Sequence, residues 1–299
     1  MAVSESNAAA GPEQPPLVVK IGGARAVDPA GVIEDVAHIV ASGREVVVVH
    51  GGSTAVDDTL DALGKEPEYV ETPAGVSGRF TDEETLEVFS MVLPGKLNTE
   101  LVTELRAAGV NAVGLSGVDG GLVTGPRKSA VRVVEDGKRK IRRGDHAGKP
   151  ESVNAGLLTD LLADGYVPTV SPPMLADDGT AANADADRVA ALLAAELGAE
   201  LVLLTDVAGV YEDPDDPDTL IEEASTPAEF EAVQAAAAGF MSRKVHAAEE
   251  ALTGGAAGVV VSDATLRKPL LAALEGHGTW LDPAAVADNT TATTGGESA

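Results

Sequence analysis

The sequence predicts a three-layer α/β sandwich: a mainly parallel central sheet, helices on both faces, and a protruding basic β-hairpin. Three observations lead there. Short β-branched runs alternate with helical patterns along most of the chain, which is what strand–helix–strand crossovers produce. Three of those runs end in glycine turns, at Gly22-Gly23, Gly51-Gly52 and Gly117, where the backbone must turn tightly or approach another group closely. One stretch breaks the alternation with an Asp-Gly turn between two short runs, the signal of a hairpin.

Taken in order, LVVKI (17–21), EVVVVH (45–50), NAVGL (111–115), YVPTV (166–170), LVLLT (201–205) and AGVVV (257–261) read as buried strands. They are short, nearly continuous apolar runs bounded by turn residues. Helical periodicity covers 29–42, 54–63, 82–108, 153–163, 185–197, 240–252 and 266–274. GLVTG (121–125), SAVRVV (129–134) and KRKIRR (138–143), with Glu135-Asp136-Gly137 between the last two, read as the hairpin region. Residues 1–16 and 283–299 lack apolar periodicity and are rich in small residues, so they are expected to be disordered tails.

At 299 residues the chain can bury a large core. Hydrophobic residues make up 44 % and aromatics only 3 %, so that core must be aliphatic. There is no cysteine, hence no disulfide and no thiolate metal site. No apolar run approaches the roughly 18 residues a membrane span needs, and residues 1–16 lack the apolar segment of a secretory signal; a cytoplasmic protein is expected. The net charge of −27 argues against nucleic-acid binding and suits a halophilic protein that stays hydrated in concentrated salt. Against that background residues 127–149 hold nine Lys or Arg and three acids, a local +6.

Ligands of parallel α/β sheets gather at the carboxyl ends of the strands. Lys20, inside an apolar strand and before Gly22-Gly23, must either reach an anion or extend its ammonium to a surface carboxylate. Lys244, near the start of the 240–252 helix, is a second cation that either faces a ligand or is simply solvated. Asn183, Asp185 and Asp187 alternate ahead of a long Ala/Leu helix; one of them suffices as a cap. No GxxxxGK[ST] loop and no GxGxxG fingerprint is present.

The order Lys-x-Gly-Gly, His-Gly-Gly, Arg79 in GRFTDEETLEVFSMVLPGKLN, Asn-Ala-Asp-Ala-Asp, Thr-Asp-Val-x-Gly-Val and Met-x-x-Lys resembles the amino acid kinase superfamily. It is similar above all to acetylglutamate kinases and to kinases of glutamate or 2-aminoadipate held on a LysW-type carrier protein. The resemblance covers about residues 17–281. It implies the amino acid kinase fold, with a substrate-binding lobe over 17–182 and an ATP-binding lobe over 183–282. The implied reaction moves the γ-phosphoryl of ATP onto a side-chain carboxylate. Lys20 and Lys244 would hold the transferring phosphoryl from two sides, and Asp187 would orient both and keep them protonated. Gly22, Gly23, Gly51 and Gly52 would donate backbone N–H groups. Arg79 would clamp the substrate's α-carboxylate, and Asn183 its other polar groups. Thr205, Asp206, Val207, Gly209, Tyr211 and Met241 would line the nucleotide. Mg²⁺ would be held mainly by ATP phosphates, with no protein metal ligand.

Two departures from the acetylglutamate enzymes point to the carrier-dependent ones. Ser53 stands where a third glycine usually follows His-Gly-Gly, and Thr72–Gly78 replaces an Asn-Gly-Leu/Met segment. Both lie where the substrate's amino-side substituent should sit. A small acidic carrier would also explain the basic hairpin, with Arg127, Lys128, Lys138, Arg139, Arg142 and Arg143 as its docking cations; the other reading is a solvated hairpin. N-acetylglutamate kinase is the alternative inside the class, and a non-catalytic sensor on the same fold the alternative outside it. A homodimer is expected, because Gly11, Pro12, Pro15 and Pro16 leave no room for the N-terminal helix of hexameric relatives.

Overall fold

The computed structural model describes residues 14–22, 29–71, 73, 77–135 and 138–287; residues 1–13 of the expected N-terminal tail, Gly23, Asp136 and Gly137, most of Thr72–Val76 and residues 288–299 lie outside them. The chain opens with β1 (Leu17–Ile21), α1 (Pro29–Ala41), β2 (Val46–His50) and α2 (Ser53–Ala62). A short antiparallel pair follows, β3 (Tyr69–Glu71) and β4 (Ser77–Arg79). Where the periodicity predicts one helix over 82–108, α3 (Glu83–Met91) and α4 (Asn98–Ala107) are joined by a π-helical turn, Val92–Leu97. Pro94 sits in that turn; without an N–H and with its ring against the preceding turn, it widens the helix there.

Next come β5 (Ala112–Gly117), β6 (Val123–Gly125), β7 (Ala130–Glu135), β8 (Lys138–Arg143) and β9 (Ser152–Val153). They are followed by α5 (Ala155–Ala163), β10 (Val167–Ala176), β11 (Ala181–Ala182), α6 (Ala186–Leu197) and β12 (Glu200–Thr205). The chain closes with β13 (Glu223–Ala224), α7 (Pro227–Ala236), α8 (Phe240–Thr253), β14 (Gly258–Asp263), α9 (Pro269–Leu274) and β15 (Thr279–Leu281).

The main sheet runs β13-β15-β14-β12-β1-β2-β10-β6-β9, with β5 and β11 also on β10. Its centre, from β14 through β12, β1, β2 and β10 to β5, is parallel; antiparallel pairing appears where β15, β9 and β11 join. Side chains of β1 alternate between two cores, as a two-residue period requires. Val18 packs on the face covered by α5, α6, α7 and α8, and Leu17 and Val19 on the face covered by α1, α4 and α9. Both cores are almost wholly aliphatic.

The differences from the sequence pattern have local causes. GLVTG belongs to the main sheet through β6 rather than to the hairpin; only β7 and β8 form that. Helix α7 has too weak an apolar stripe to stand out, yet its start is marked by a capping box, Thr226 with Glu229, and by Pro227 in the first turn. The ordered chain also passes residue 282: Pro283–Val286 forms a 3₁₀ turn with Ala285 buried.

Candidate active site

Lys20 lies opposite Val49 of β2 and Leu203 of β12, near the carboxyl ends of three parallel strands, and is only 6 % exposed. The loop ahead of α6 delivers its partner. Asp185 caps the helix by accepting the N–H groups of Asp187 and Arg188 at 2.9 and 3.3 Å. That sets Asp187 in the first turn, where unpaired N–H groups favour a carboxylate. Arg188 points elsewhere and grips Glu250 of α8 with two bonds of 2.8 and 2.6 Å, fastening α6 to α8. From α8 comes Lys244, whose Nζ donates to Asp187 Oδ2 at 3.0 Å. Lys20 Nζ stands 2.6 Å from Asp187 Oδ1, a close ion pair.

Two ammonium groups, Lys20's buried and Lys244's about a tenth exposed, thus share one buried carboxylate, a surplus of one positive charge largely out of water. Burial pushes Asp187 up, but Lys20 and Lys244 outweigh it and hold the carboxyl well below the usual range. For Lys244, burial and then the charge of Lys20 push it down, and Asp187 only partly offsets them. A buried positive surplus is stabilised by an anion, so the arrangement is suited to holding a phosphoryl group.

The glycine turns surround this centre unequally. Gly22 is half-buried beside Lys20. At Gly51 an added Cβ would meet only Ala186, at 3.5 Å, so the protein itself leaves space there. At Gly52 a Cβ would lie 2.2 Å from a Leu97 methyl, and close packing of the chain requires glycine. The Ser116-Gly117 turn is explained by packing: a Cβ on Gly117 would meet the Pro173 carbonyl at 2.8 Å, and Ser116 bonds to Asp119. Buried His50 places Nδ1 2.9 Å from the Gly51 carbonyl. Desolvation lowers its pKa, against the contact with the Gly51 carbonyl, so a neutral ring braces the turn.

Arg79 closes one side. Its guanidinium pairs with Asp57, donates to the Tyr69 hydroxyl at 2.9 Å and the Ser53 carbonyl at 3.2 Å, and lies over the Tyr69 and Phe89 rings. Asp57, on α2, and Tyr69 are partners that no motif in the sequence discloses. Asn183 donates to Thr81 Oγ1 at 3.3 Å, and its backbone bonds His146 and Gly148. Buried Asp145 accepts from the N–H groups of Thr81 and Ala147. The segment after Arg79, the foot of the hairpin and the approach to Asp187 therefore meet at one knot.

The proposed nucleotide wall follows β12 on the same sheet edge. Thr205 is buried and bonds Asp206 at 3.1 Å, Val207 is exposed, and Tyr211 bridges to Leu220. Gly209 is sterically required, since a Cβ would meet Thr279 Oγ1 at 2.5 Å. Met241 is half-buried at the start of α8. Phe240, beside it, is 79 % exposed under the Arg243 guanidinium.

The hairpin stands on β3–β4, with Val133 buried against Val70 and Phe80. Two of the six expected docking cations are engaged internally. Arg142 stacks on Phe80 at 4.3 Å and pairs with Glu68, and Arg127 pairs with Asp178. Lys128, Lys138, Arg139 and Arg143 are exposed.

Residues 15–263 match the model of the amino acid kinase family. Over 264 residues, 88 % of this chain and 90 % of the other, the sequence is 46 % identical to a [LysW]-aminoadipate kinase of Deinococcus radiodurans. It is 41 % identical to an acetylglutamate kinase of Methanopyrus kandleri, over 88 % of this chain and 98 % of that one. Among solved structures, an N-acetylglutamate synthase from Neisseria gonorrhoeae, complexed with coenzyme A and N-acetylglutamate, superposes with a TM-score of 0.73 at 25 % identity. That match covers 90 % of this chain and 60 % of the synthase.

Proposed function

Because the chain belongs to the amino acid kinase family, we propose that it transfers the γ-phosphoryl group of ATP to the side-chain carboxylate of glutamate or 2-aminoadipate borne on an acidic carrier protein. The observation that carries this is the buried Lys20–Asp187–Lys244 group, one positive charge in excess at the carboxyl edge of the sheet. Phosphoryl transfer needs in-line positioning and positive charge around the moving group. Lys20 and Lys244 supply that charge and Asp187 fixes their separation. The backbone N–H groups of Gly22 and Gly51 orient the phosphoryl and the attacking carboxylate oxygen; that oxygen forms the new bond to phosphorus as the bridging bond to ADP breaks.

Arg79 holds the acceptor's α-carboxylate or its amide-linked equivalent, and Asn183 its remaining polar groups. Both oxygens of Asp187 are engaged by ammonium groups and Asp185 caps α6. The donor set therefore suits phosphate, and Mg²⁺ would sit mainly on the nucleotide, neutralising its charge. In this reading residues 17–182 form the acceptor lobe and 183–282 the ATP lobe of a homodimer in a salt-rich cytoplasm.

The carrier reading is supported by the likeness to the Deinococcus enzyme together with the +6 segment on a −27 protein. The likeness to the Methanopyrus enzyme favours free N-acetylglutamate as a second reading. An ATP-consumption assay decides between them. We expect kcat/KM for carrier-borne acceptor to exceed that for free N-acetylglutamate by at least about 100-fold, a difference of roughly 2.7 kcal/mol. A preference for the free acid would establish the second reading. Glutamate and 2-aminoadipate differ by one methylene, which a pocket separates by about 1–3 kcal/mol.

A further inference from the structure

The pairing of β7 with β8 sorts the hairpin's cations onto two faces. Residues directly opposite in an antiparallel pair point to the same side, and successive pairs alternate. Val131 opposite Arg142 and Val133 opposite Lys140 form the inner face, which packs on β3–β4. Lys138, two positions from Lys140, falls on that face too. The outer face carries Val134 opposite Arg139, Arg132 opposite Ile141 and Ala130 opposite Arg143. Its charged residues are all arginines, all exposed, and Ile141 at their centre is 69 % exposed.

We propose that this outer face, Arg132, Arg139 and Arg143 around Ile141, is the surface that receives the carrier protein, and that the complementary patch is a set of carboxylates around an apolar side chain. The inference rests on the carrier reading above and adds which side of the hairpin is used and by what chemistry. Charge decides the partner: the rest of the chain repels an acidic protein, whereas three guanidinium forks take carboxylates two bonds at a time. The central isoleucine supplies what charge cannot. Steering fades as salt shortens the Debye length to about 3 Å near 1 M, while burial of an aliphatic side chain inside a polar rim survives. Arg132 and Ile141 join the surface, and Lys138 and Arg142 leave it.

Adjacent residues on opposite faces give the test. Arg139→Glu and Lys140→Glu make the same charge change one position apart. Titration calorimetry of the whole enzyme with substrate-free carrier protein, at about 0.15 M and about 1 M KCl, reads the difference. At about 0.15 M, Arg139→Glu, and Arg132→Glu likewise, should weaken binding by at least about 10-fold and Lys140→Glu by less than about threefold; at high salt the loss from Lys140→Glu should vanish while a loss from Arg139→Glu persists, as steering fades and contact remains. Ile141→Thr keeps the β-branched shape and strand propensity, and should weaken binding by about threefold to 10-fold at both salt levels. An unchanged KM for ATP in each variant certifies the fold. Equal losses from Arg139→Glu and Lys140→Glu, a silent Ile141→Thr, or no binding of carrier by the unaltered enzyme would each overturn the proposal. So would outer-face variants that lose affinity for a single-stranded RNA oligomer and keep it for the carrier. Should the carrier bind through this face while only free N-acetylglutamate is phosphorylated, the surface stands and the proposed reaction falls. Should carrier-borne acceptor be phosphorylated by outer-face variants that bind it normally, the reverse holds.

Discussion

Lys20 and Lys244 carry the same unit charge as Arg139 and Arg143, in opposite surroundings. The two lysines are largely shielded from solvent, held on one carboxylate, and braced by a helix cap and by the Arg188–Glu250 pair between α6 and α8. The two arginines stand exposed on a two-stranded hairpin. In low dielectric an ammonium acts strongly on whatever anion arrives and is little affected by salt. At the surface a guanidinium acts over a distance that salt sets. Charge in the first place can do chemistry, and charge in the second can select a partner.

The sharpest way to break the comparison is to remove one buried cation. Lys20→Ala should lower kcat by at least about 100-fold, roughly 2.7 kcal/mol of transition-state stabilisation, on carrier-borne and free acceptor alike. No surface arginine should do so. A folded Lys20→Ala enzyme with normal kcat would place the chemistry elsewhere.

Arg79 is a guanidinium enclosed as fully as the two lysines, its side chain 7 % exposed among Asp57, Tyr69 and Phe89. Arg79→Lys keeps the charge and loses the planar fork, so KM for the acceptor should rise about 10-fold while KM for ATP changes by less than about twofold. Equal rises in both constants would contradict its placement on the acceptor side.

The pH profile probes the buried pair directly. Lys244 loses its proton below the ordinary lysine value because burial and Lys20 outweigh Asp187. The alkaline limb of kcat/KM for ATP should therefore fall before 10.5, the value of an unstrained lysine. Bound nucleotide adds negative charge and should move the limb in kcat to higher pH. A kcat limb at or below the kcat/KM limb would deny Lys244 contact with the phosphates. The linked stability effects have defined signs. The folded Lys244 is the weaker base, so stability rises with pH through the window that ends at 10.5. Asp187 is held at about 2 against 3.8 unfolded, so its contribution is full above 3.8 and is lost as pH falls to about 2.

The two regions also differ in how far the sequence disclosed them. The parallel strands were legible because LVVKI, EVVVVH and LVLLT are short, nearly continuous apolar runs, and Lys20 stood out because a charge inside such a run needs a partner. Its partnership with Asp187 and Lys244 came from resemblance, since the three lie on elements far apart in the chain. Asp57 and Tyr69 were invisible for the same reason: an acid on a helix face and a tyrosine on a three-residue strand look like ordinary surface until folding brings them to Arg79. The basic hairpin was evident from composition, but which of its cations face outward depends on register and on the Phe80 stack, and neither is readable from a count of charges.

Salt gives the smallest effect and compares the regions within one unaltered enzyme. Between about 0.15 M and about 1 M KCl the Debye length shrinks from about 8 Å to about 3 Å. Exposed arginines then attract an acidic carrier only at contact, so KM for carrier-borne acceptor should rise by about threefold to 10-fold as encounter slows. The lysines on Asp187 are shielded from the ions by the protein itself: they are 6 % and about a tenth exposed, and no mobile ion can enter between partners 2.6 and 3.0 Å apart. Accordingly kcat, and KM for a free small acceptor, should change by less than about twofold over the same range. Steady-state kinetics on the two acceptors separate the cases. If kcat fell in step with the rise in KM, the buried group would be open to solvent ions. If KM for the carrier did not move, the hairpin's charge would have no part in the encounter, and shape alone would have to bring the carrier to the site.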